Sequence, residues 1–339
     1  PLLIGAEGSA VDLTLSALYF RPPNLYPVEL REVARVDDTG LASGIPLHLR
    51  HSVREQRIVG TTLDYAEFRD LVVAEGRWFG LLGECVLGAE AARVLGVGPG
   101  EHVLSSAGSA FDVAGAFPLK MPVVGVLQET GTPDDEAAFV DVKTTWIISG
   151  LAHGHENVNE AEMGDARVLE REGGNVVANA TVLSYTEITP ENIDSFHFHG
   201  DPDGFPVEAI LAVPIDRKSG ILLRGRYEEE GTAVQMLVPS QVVDEVLETM
   251  FTVRDYVLLG SIGVGAATLI TAALVFVLSI RLRRREIETI RKIGGSSRRV
   301  AGTLVSEILL VVIGGVVIAG GLTLGLSRCG DWLVRFVSS

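Results

Sequence analysis

Four of the seven histidines fall into two His-x-His pairs, and these side chains are the ones in the sequence best suited to binding a metal. The first pair is His153 and His155, within HGHE, and the second is His197 and His199, within HFHGDPD. On an extended strand the side chains at i and i+2 lie on one face, so each pair could give two imidazole ligands to Zn²⁺ or Cu²⁺. Solvated loops beside acidic residues would produce the same spacing. A zinc site and a pair of polar loops are therefore the two alternatives.

The sequence holds none of the common catalytic or nucleotide-binding motifs. There is no Gly-x-x-x-x-Gly-Lys-[Ser/Thr] loop, no Gly-x-Ser-x-Gly elbow, no His-Glu-x-x-His helix and no Cys-x-x-Cys pair. These motifs would supply a phosphate cradle, an activated serine, a catalytic zinc centre and a redox or zinc-binding dithiol. We therefore predict no catalytic residue and, apart from the zinc considered above, no cofactor in this chain.

The two cysteines, Cys85 and Cys329, are too few for a framework of disulfides. They lie on opposite sides of the first long apolar stretch, so a bridge would require both to face one oxidising compartment. The alternative is two unpaired residues that act as small apolar side chains.

Charge is divided unevenly along the chain. Residues 1–256 contain 18 Lys and Arg against 40 Asp and Glu, a balance of −22, whereas residues 281–299 contain eight basic residues and two Glu, a balance of +6. The acidic part would repel nucleic acid and anionic lipid headgroups, so we predict no nucleic-acid partner. It is also long enough to bury its own core.

Two uncharged stretches have the length and composition of transmembrane helices. Residues 257–280 would form a helix about 36 Å long, enough to cross a hydrocarbon core of about 30 Å. Residues 308–326 form a second stretch, rich in glycine, which is tolerated in membrane helices. Small residues let helix backbones approach closely, and the alternative is that they are incidental. The glycines predicted to pack against another helix are Gly260, Gly263, Gly265, Gly321 and Gly325.

The basic loop of residues 281–299 predicts the orientation of these spans. Short loops rich in Lys and Arg stay on the cytoplasmic side, which places the acidic part outside the membrane. Export of that part requires a signal peptide or an earlier span, and the sequence begins at Pro1 with neither. We therefore expect a further helix before Pro1, and the apolar residues after Leu326 could open another span.

Within the basic loop, residues 286–293 are predicted to form a helix. An isoleucine at every third position gives it an apolar edge amid Arg and Glu. The residues of this edge are Ile287, Ile290 and Ile293. Gly294-Gly295 would end the helix, and Ser296 or Ser297 would cap the next one. Glu307 is expected at a helix N-terminus and at headgroup level, the alternative being a functional charge inside the membrane.

The acidic part mixes helix and strand patterns without regular alternation, which predicts an α+β domain outside the membrane, followed by α-helical spans. Within residues 61–79 a helix with a threonine N-cap is predicted to end at Gly76, and a second helix is predicted over 89–95. Strands on either side of residues 216–220 are predicted to form a hairpin, and Ser240 to cap a helix that runs toward the membrane. Further strand-like runs are CVL, HVL, FDVAGAF, MPVVGVL and AAFVDV.

Two parts of the sequence resemble known domains. RRREIETIRKIGGSSRRV followed by SEILLVVIGGVV resembles the FtsX-like permeases of ABC transporters. The acidic part is similar to the MacB-type periplasmic core domain through PLLIGAEGSAVDLTLSALYF, AEGRWF, VLGAEAARVLGVGPGE and FVDVKTTW. The resemblance divides the chain into a core domain over 1–256, with a polar insert over 152–206, and a permease domain over 257–339. Members of the family have four spans, so this chain would hold the second and third and lack the first and fourth.

The resemblance also implies a mechanism, called mechanotransmission. A separate cytoplasmic ATPase binds and hydrolyses ATP, and the resulting movement of the helices rearranges the periplasmic domains. Two permease subunits, alike or different, would pair with two ATPase subunits in the bacterial inner membrane. The residues expected to couple the loop to the ATPase are Arg285, Glu286, Ile287, Ile290, Arg291, Ile293, Gly294 and Gly295. The alternative is that the arginines only set topology and bind anionic lipid.

Transport and regulation are both compatible with the resemblance. The alternative to a transporter is an FtsX-type regulatory protein that controls a periplasmic partner, such as a cell-wall hydrolase, without moving a substrate. A receptor is disfavoured because the loop of 19 residues, 281–299, is too short to hold an output domain. The sequence does not identify a substrate.

Overall fold

The computed structural model describes residues 1–106, 118–154, 168–172, 175–178, 186–230, 234–294 and 296–337. The chain divides into two compact units, Pro1–Glu248 and Thr249–Ser339. The first unit combines sheets with short helices and the second consists of helices, which confirms the predicted α+β domain followed by long apolar helices.

The strands of the first unit are mostly short. In chain order they are β1 (Leu2–Ala6), β2 (Val28–Glu29), β3 (Ala42–Leu47), β4 (Ser52–Val53), β5 (Gln56–Thr61), β6 (Val73–Gly76), β7 (Cys85–Leu87), β8 (His102–Leu104), β9 (Lys120–Leu127), β10 (Ala137–Asp141), β11 (Ala152–His153), β12 (Val168–Glu172), β13 (Asn175–Ala178), β14 (His197–Phe198), β15 (Pro206–Val207), β16 (Ala209–Pro214) and β17 (Val234–Leu237). The helices that lie wholly in this unit are α1 (Ala10–Tyr19), α2 (Arg31–Asp38), α3 (Asp64–Phe68), α4 (Ala89–Leu95), α5 (Val142–Ile148) and α6 (Arg217–Glu230).

Two larger sheets form the framework of this unit. One has the antiparallel order β17-β1-β16-β3, which joins strands from both ends of the unit. The other has the order β4-β5-β10-β7-β9-β6, with β8 paired to β9, and it includes the parallel pairs β5–β10 and β7–β9. The pairs β11–β14, β12–β13 and β2–β15 form short ribbons. Most pairings are therefore long-range, and they hold distant segments together.

Apolar side chains of both sheets are buried inside the unit. In β9 burial alternates residue by residue, as expected for a strand with one face toward a core. Phe139 on β10 is fully buried, and its ring centroid lies 5.6–6.3 Å from the rings of Phe20, Tyr65 and Trp78. The Trp146 indole on α5 is also buried and donates a hydrogen bond of 2.9 Å to the Pro206 carbonyl oxygen.

The predicted helix over 61–79 is wrong beyond its first turns. Helix α3 ends at Phe68, its N-cap residue is Leu63 with no side-chain cap, and Asp70 adopts a left-handed φ of 53°. Residues 73–76 form β6, which pairs antiparallel with β9. Backbone hydrogen bonds to a strand about 50 residues away override the amphipathic pattern.

The predicted hairpin around 216–220 is also wrong, because its second strand is helix α6. Asp216 precedes that helix, and its Oδ1 accepts a hydrogen bond of 2.7 Å from the Ser219 backbone N–H. The side chain that suggested a turn therefore caps a helix, a role that aspartate fills equally well. The next predicted cap, Ser240, is displaced by two positions, because the helix there begins at Pro239.

Other local predictions are confirmed. Helix α4 covers the predicted 89–95, and strands occur at CVL, HVL, MPVVGVL and AAFVDV. The run FDVAGAF lies outside the described residues.

Three helices contain the apolar stretches and the basic loop. They are α7 (Pro239–Leu282), α8 (Arg284–Lys292) and α9 (Ser297–Val337). The segments Pro239–Leu282 and Ala301–Gly325 are long and apolar enough to cross a membrane, with mean hydropathy of 2.2 and 2.5. Their apolar windows bury no residue against the described chain. Lipid or another helix would therefore have to cover these surfaces.

Candidate functional site

The loop between the two long helices folds as predicted around a short helix. Helix α8 has an ion pair of 3.3 Å between Arg284 Nε and Glu288 Oε1, one turn apart. The helix ends as expected at a glycine, since Gly294 has a left-handed φ of 89°. Gly295 and the side chain of Arg291 lie outside what the structure describes.

The isoleucine edge of α8 faces outward in the described chain. Ile287 is half-buried, whereas Ile290 is 42% exposed and Ile293 is 79% exposed. Arg285 and Glu286 are exposed beside them. The loop therefore presents a short apolar edge, framed by charge, of the kind that a partner groove recognises on a helix.

Glu307 does not occupy the predicted helix N-terminus. Helix α9 begins at Ser297, ten residues earlier, and the favourable effect of a helix terminus fades beyond the first turn. The carboxylate Oε2 of Glu307 instead lies 2.9 Å from Nη1 of Arg283, which follows α7 directly. This ion pair joins the loop-proximal end of α7 to a point ten residues inside α9. Its signal in the sequence was an Arg just after one apolar stretch and a Glu just before the next.

The five glycines predicted to pack against another helix have open space around them in this chain. A Cβ atom added at any of them would meet no atom within 4 Å. A groove of about 510 Å³ in this unit is lined by α7 residues and Val311. The α7 residues are Val264, Ala267, Thr268, Thr271, Ala272, Val275 and Phe276. Packing of the glycines against a helix of another chain stays a prediction.

The backbone places one member of the first histidine pair opposite one member of the second. His153 on β11 stands directly opposite His197 on β14, and the rings of His197 and His199 have centroids 4.9 Å apart. His155 and the side chain of His153 lie outside what the structure describes. The described side chains include no group of three or more His, Cys, Asp or Glu residues that could hold a metal ion. The zinc site stays a prediction. The register of β11 against β14 would let the two pairs meet.

Cys85 is an unpaired residue in the core. Its thiol is buried on β7, and burial raises its pKa to about 12. This confirms, for Cys85, the alternative of an unpaired residue that acts as a small apolar side chain. The side chain of Cys329 lies outside what the structure describes.

Comparisons with known proteins match both halves of the chain. Residues 19–163 match the MacB-like periplasmic core domain, and residues 258–339 match the FtsX-like permease C-terminal domain. The periplasmic region of MacB from Actinobacillus actinomycetemcomitans is similar, with a TM-score of 0.40 and 10% identity, over 72% of this chain and 91% of that one. The extracellular domain of the noncanonic ABC-type transporter YknZ from Gram-positive bacteria has a TM-score of 0.37 and 13% identity, over 70% of this chain and 99% of that one. No curated protein matches the chain.

An α+β domain is followed along the chain by two helices that are long and apolar enough to cross a membrane. The two matched domains give the family: the chain belongs to the FtsX-like permeases of ABC transporters and has a MacB-like periplasmic core domain. Proteins of this family are embedded in the membrane. Membership of the family implies an ATPase partner and a dimeric assembly.

Proposed function

We propose that this chain is the permease subunit of an ABC transporter that works by mechanotransmission. A separate cytoplasmic ATPase docks on the loop of residues 281–299, and its cycle of ATP binding and hydrolysis moves the long helices. Those helices rearrange the periplasmic domain, which acts on a substrate there. The chain itself carries out no catalysis and binds no ATP.

The observation that carries this proposal is the exposed isoleucine edge of α8. An apolar edge on a short helix, surrounded by Arg and Glu, is costly in water and is a common way for a helix to enter a groove on a partner. Ile290 and Ile293 supply the apolar anchors and are both exposed in the described chain. The basic residues around them favour a partner with an acidic rim.

Two further features support the transmission of movement from the loop. Helix α7 is a single element, and it contains both the last residues of the first unit and the first apolar stretch. The pair Arg283–Glu307 joins the loop-proximal end of α7 to the part of α9 just before its apolar stretch. A displacement of α8 would therefore act on both long helices at once.

The same proposal includes the topology and the assembly. The charge of +6 on the loop favours a cytoplasmic position, so the first unit lies in the periplasm and both long helices cross the inner membrane. A second permease subunit packs against the exposed spans, where the five glycines allow close approach.

Co-purification tests the proposal. The full-length protein is extracted from native membranes in a mild detergent, and its partners are identified by mass spectrometry. We expect an ABC ATPase in stoichiometric amounts, and Ile290→Asp should reduce its recovery about tenfold or more, as for loss of an interface anchor. Lys292→Gln is the matched control, because it lowers the loop charge equally from the opposite side of α8.

Each outcome of this experiment has a defined meaning. Absence of an ATPase from the wild-type preparation would remove the ABC function altogether. Equal loss of the ATPase in the two variants would show that loop charge alone, rather than the isoleucine edge, holds the partner. Recovery of a cell-wall hydrolase beside the ATPase would favour regulation over transport.

A further inference from the structure

A cavity of about 590 Å³ lies within the first unit, where four segments meet. The segments are residues 22–27, the β4–β5 region with the residues before it, the residues after α5, and Pro206 on β15. Four prolines, Tyr26 and Leu151 form an apolar wall, and Arg50, His51, Arg57 and Ser149 form a polar one. The volume falls in the range of small-molecule sites, which typically combine an apolar lining with a few convergent polar groups.

Arg57 carries an unsatisfied donor at this cavity. Its Nε atom is buried and has no hydrogen-bond partner among the described residues. Burial also lowers the pKa of its guanidinium group. A buried donor without a partner, and a charge partly removed from water without a counter-charge, both destabilise the folded chain. Arg57 lines the cavity, so an anion bound there would supply the missing counter-charge to its guanidinium group.

Arg50 is oriented by a buried carboxylate. Its Nε donates a hydrogen bond of 2.6 Å to Glu208 Oε1, and Glu208 Oε2 accepts one of 2.7 Å from the Leu49 backbone N–H. Glu208 is buried, whereas the Arg50 side chain is 46% exposed and lines the cavity. The pair with Glu208 fixes the guanidinium and leaves its two terminal nitrogens as further donors. Among the described residues, two arginines against one glutamate give the cavity a net positive charge.

Two stacked histidines lie behind the polar wall. The inner one, His48, adds no charge to it. The rings of His48 and His51 have centroids 5.3 Å apart and an interplanar angle of 18°. His48 is fully buried, and burial, followed by the charge of Arg50, lowers its pKa to about 3, which keeps it neutral. Ser149 Oγ donates to the Thr145 carbonyl oxygen at 2.9 Å, so the contact of 2.7 Å with His51 Nε2 is an N–H donating to the serine oxygen. These contacts hold His51 in place at the wall.

We propose that this cavity binds a small organic anion. A carboxylate or phosphate group would accept hydrogen bonds from Arg57 and Arg50, and an apolar or aromatic body would lie against the prolines and Tyr26. Residues 1–256 have a net charge of −22, so neither solubility nor lipid binding explains a cationic cavity among them. The site belongs to the periplasmic core domain and does not depend on the proposed ATPase coupling.

Calorimetric titration of the full chain in nonionic detergent micelles tests the proposal. Benzoate and phenyl phosphate present the two head groups on one aromatic body, and benzyl alcohol is the neutral control. At constant ionic strength, we expect saturable binding of at least one anion and none of benzyl alcohol. The stronger of the two anions identifies the head group. No saturable binding of either anion, or equal binding of benzyl alcohol, would overturn the proposal.

Variants locate the binding in the cavity. Arg57→Gln should weaken the binding of the anion about tenfold or more, as expected for loss of a charged hydrogen bond. Arg93→Gln removes the same charge from an exposed position on α4 and should leave binding unchanged. An unchanged affinity in Arg57→Gln would overturn the proposal.

A second measurement needs no variant and covers the case in which Arg57→Gln does not fold. The wild-type chain is treated with phenylglyoxal, which modifies arginine, and the rate at each arginine is read by mass spectrometry. A saturating anion should slow the modification of Arg57 and Arg50 and leave that of Arg93 unchanged. Modification of Arg57 and Arg50 at the same rate with and without the anion would contradict binding at this cavity.

Discussion

The two units of the chain use their apolar side chains in opposite ways. In Pro1–Glu248 large apolar residues form a buried core, among them Leu3 and Phe139. In Thr249–Ser339 the apolar residues of the two spans are exposed, as at Leu269, which is 73% exposed. The first unit therefore obtains its stability from its own core, whereas the apolar surfaces of the second would have to be covered by lipid or by other helices.

The largest effect expected from this difference is in the core of the first unit. Leu3→Ala removes a fully buried side chain and should lower the free energy of unfolding by about 2–5 kcal/mol. Leu269→Ala makes the same chemical change in a span and should leave that free energy nearly unchanged. Urea unfolding in detergent, followed by tryptophan fluorescence, measures both. Similar losses in the two variants would contradict the comparison.

Glycines provide a second contrast. Gly76 has a left-handed φ of 79°, and a Cβ atom there would collide with the Val124 carbonyl oxygen. Gly76→Ala should therefore destabilise the first unit by about 2 kcal/mol or more. Gly263 in α7 has open space around it, so Gly263→Leu should leave the fold intact and weaken association of permease subunits. Size-exclusion chromatography with light scattering reports the association, and an unchanged dimer would refute helix packing at Gly263.

Zinc would stabilise only the first unit. If the histidine pairs bind it, a free zinc concentration ten times the Kd should raise the stability of that unit by about 1.4 kcal/mol. Calorimetric titration of the full chain measures the affinity directly. The double variant His153→Ala with His197→Ala should abolish binding, and His102→Ala is the control outside the two pairs. Retained binding in the double variant, or no binding at micromolar zinc by the wild type, would rule out the site.

The smallest effect expected is at the ion pair between the spans. Arg283 and Glu307 are about half exposed, and such pairs contribute about 0.2–1 kcal/mol. Arg283→Glu or Glu307→Arg alone should increase the distance between the loop-proximal end of α7 and the part of α9 around Glu307. The double variant, with the charges exchanged, should restore it. Spin labels near these two positions measure the distance, and failure of the exchange to restore it would show that the pair does not hold the spans.

Features set by neighbouring residues could be predicted from the sequence. Helix α4 and the loop helix α8 depend on local periodicity and on a glycine after the last turn, and both form as expected. The two spans could be predicted because the length of an uncharged apolar stretch is enough to identify a helix that can cross a membrane. The family was recognisable from the order of local motifs, which does not require knowledge of tertiary contacts.

Features set by distant contacts could not be predicted in this way. β6 forms because it can pair with β9, although the residues of β6 belong to a stretch with an amphipathic helical pattern. Asp216 suits a turn and a helix cap equally well, and only the following helix distinguishes them. The cationic cavity joins residues of four separate segments, and neither Arg50 nor Arg57 stands in a recognisable motif. Periodicity reports a local preference, whereas a cavity depends on long-range pairing.

Site-specific photo-crosslinking at Ile290 tests the central claim, that the loop helix is where an ATPase docks. A photoreactive benzoyl-phenylalanine replaces Ile290 in the full-length protein in native membranes, and the same residue at Lys292, on the opposite side of α8, is the control. We predict a crosslink from position 290 to an ABC ATPase that is clearly stronger than that from position 292. Crosslinks from position 290 to lipid alone, with no ATPase adduct, would contradict the account.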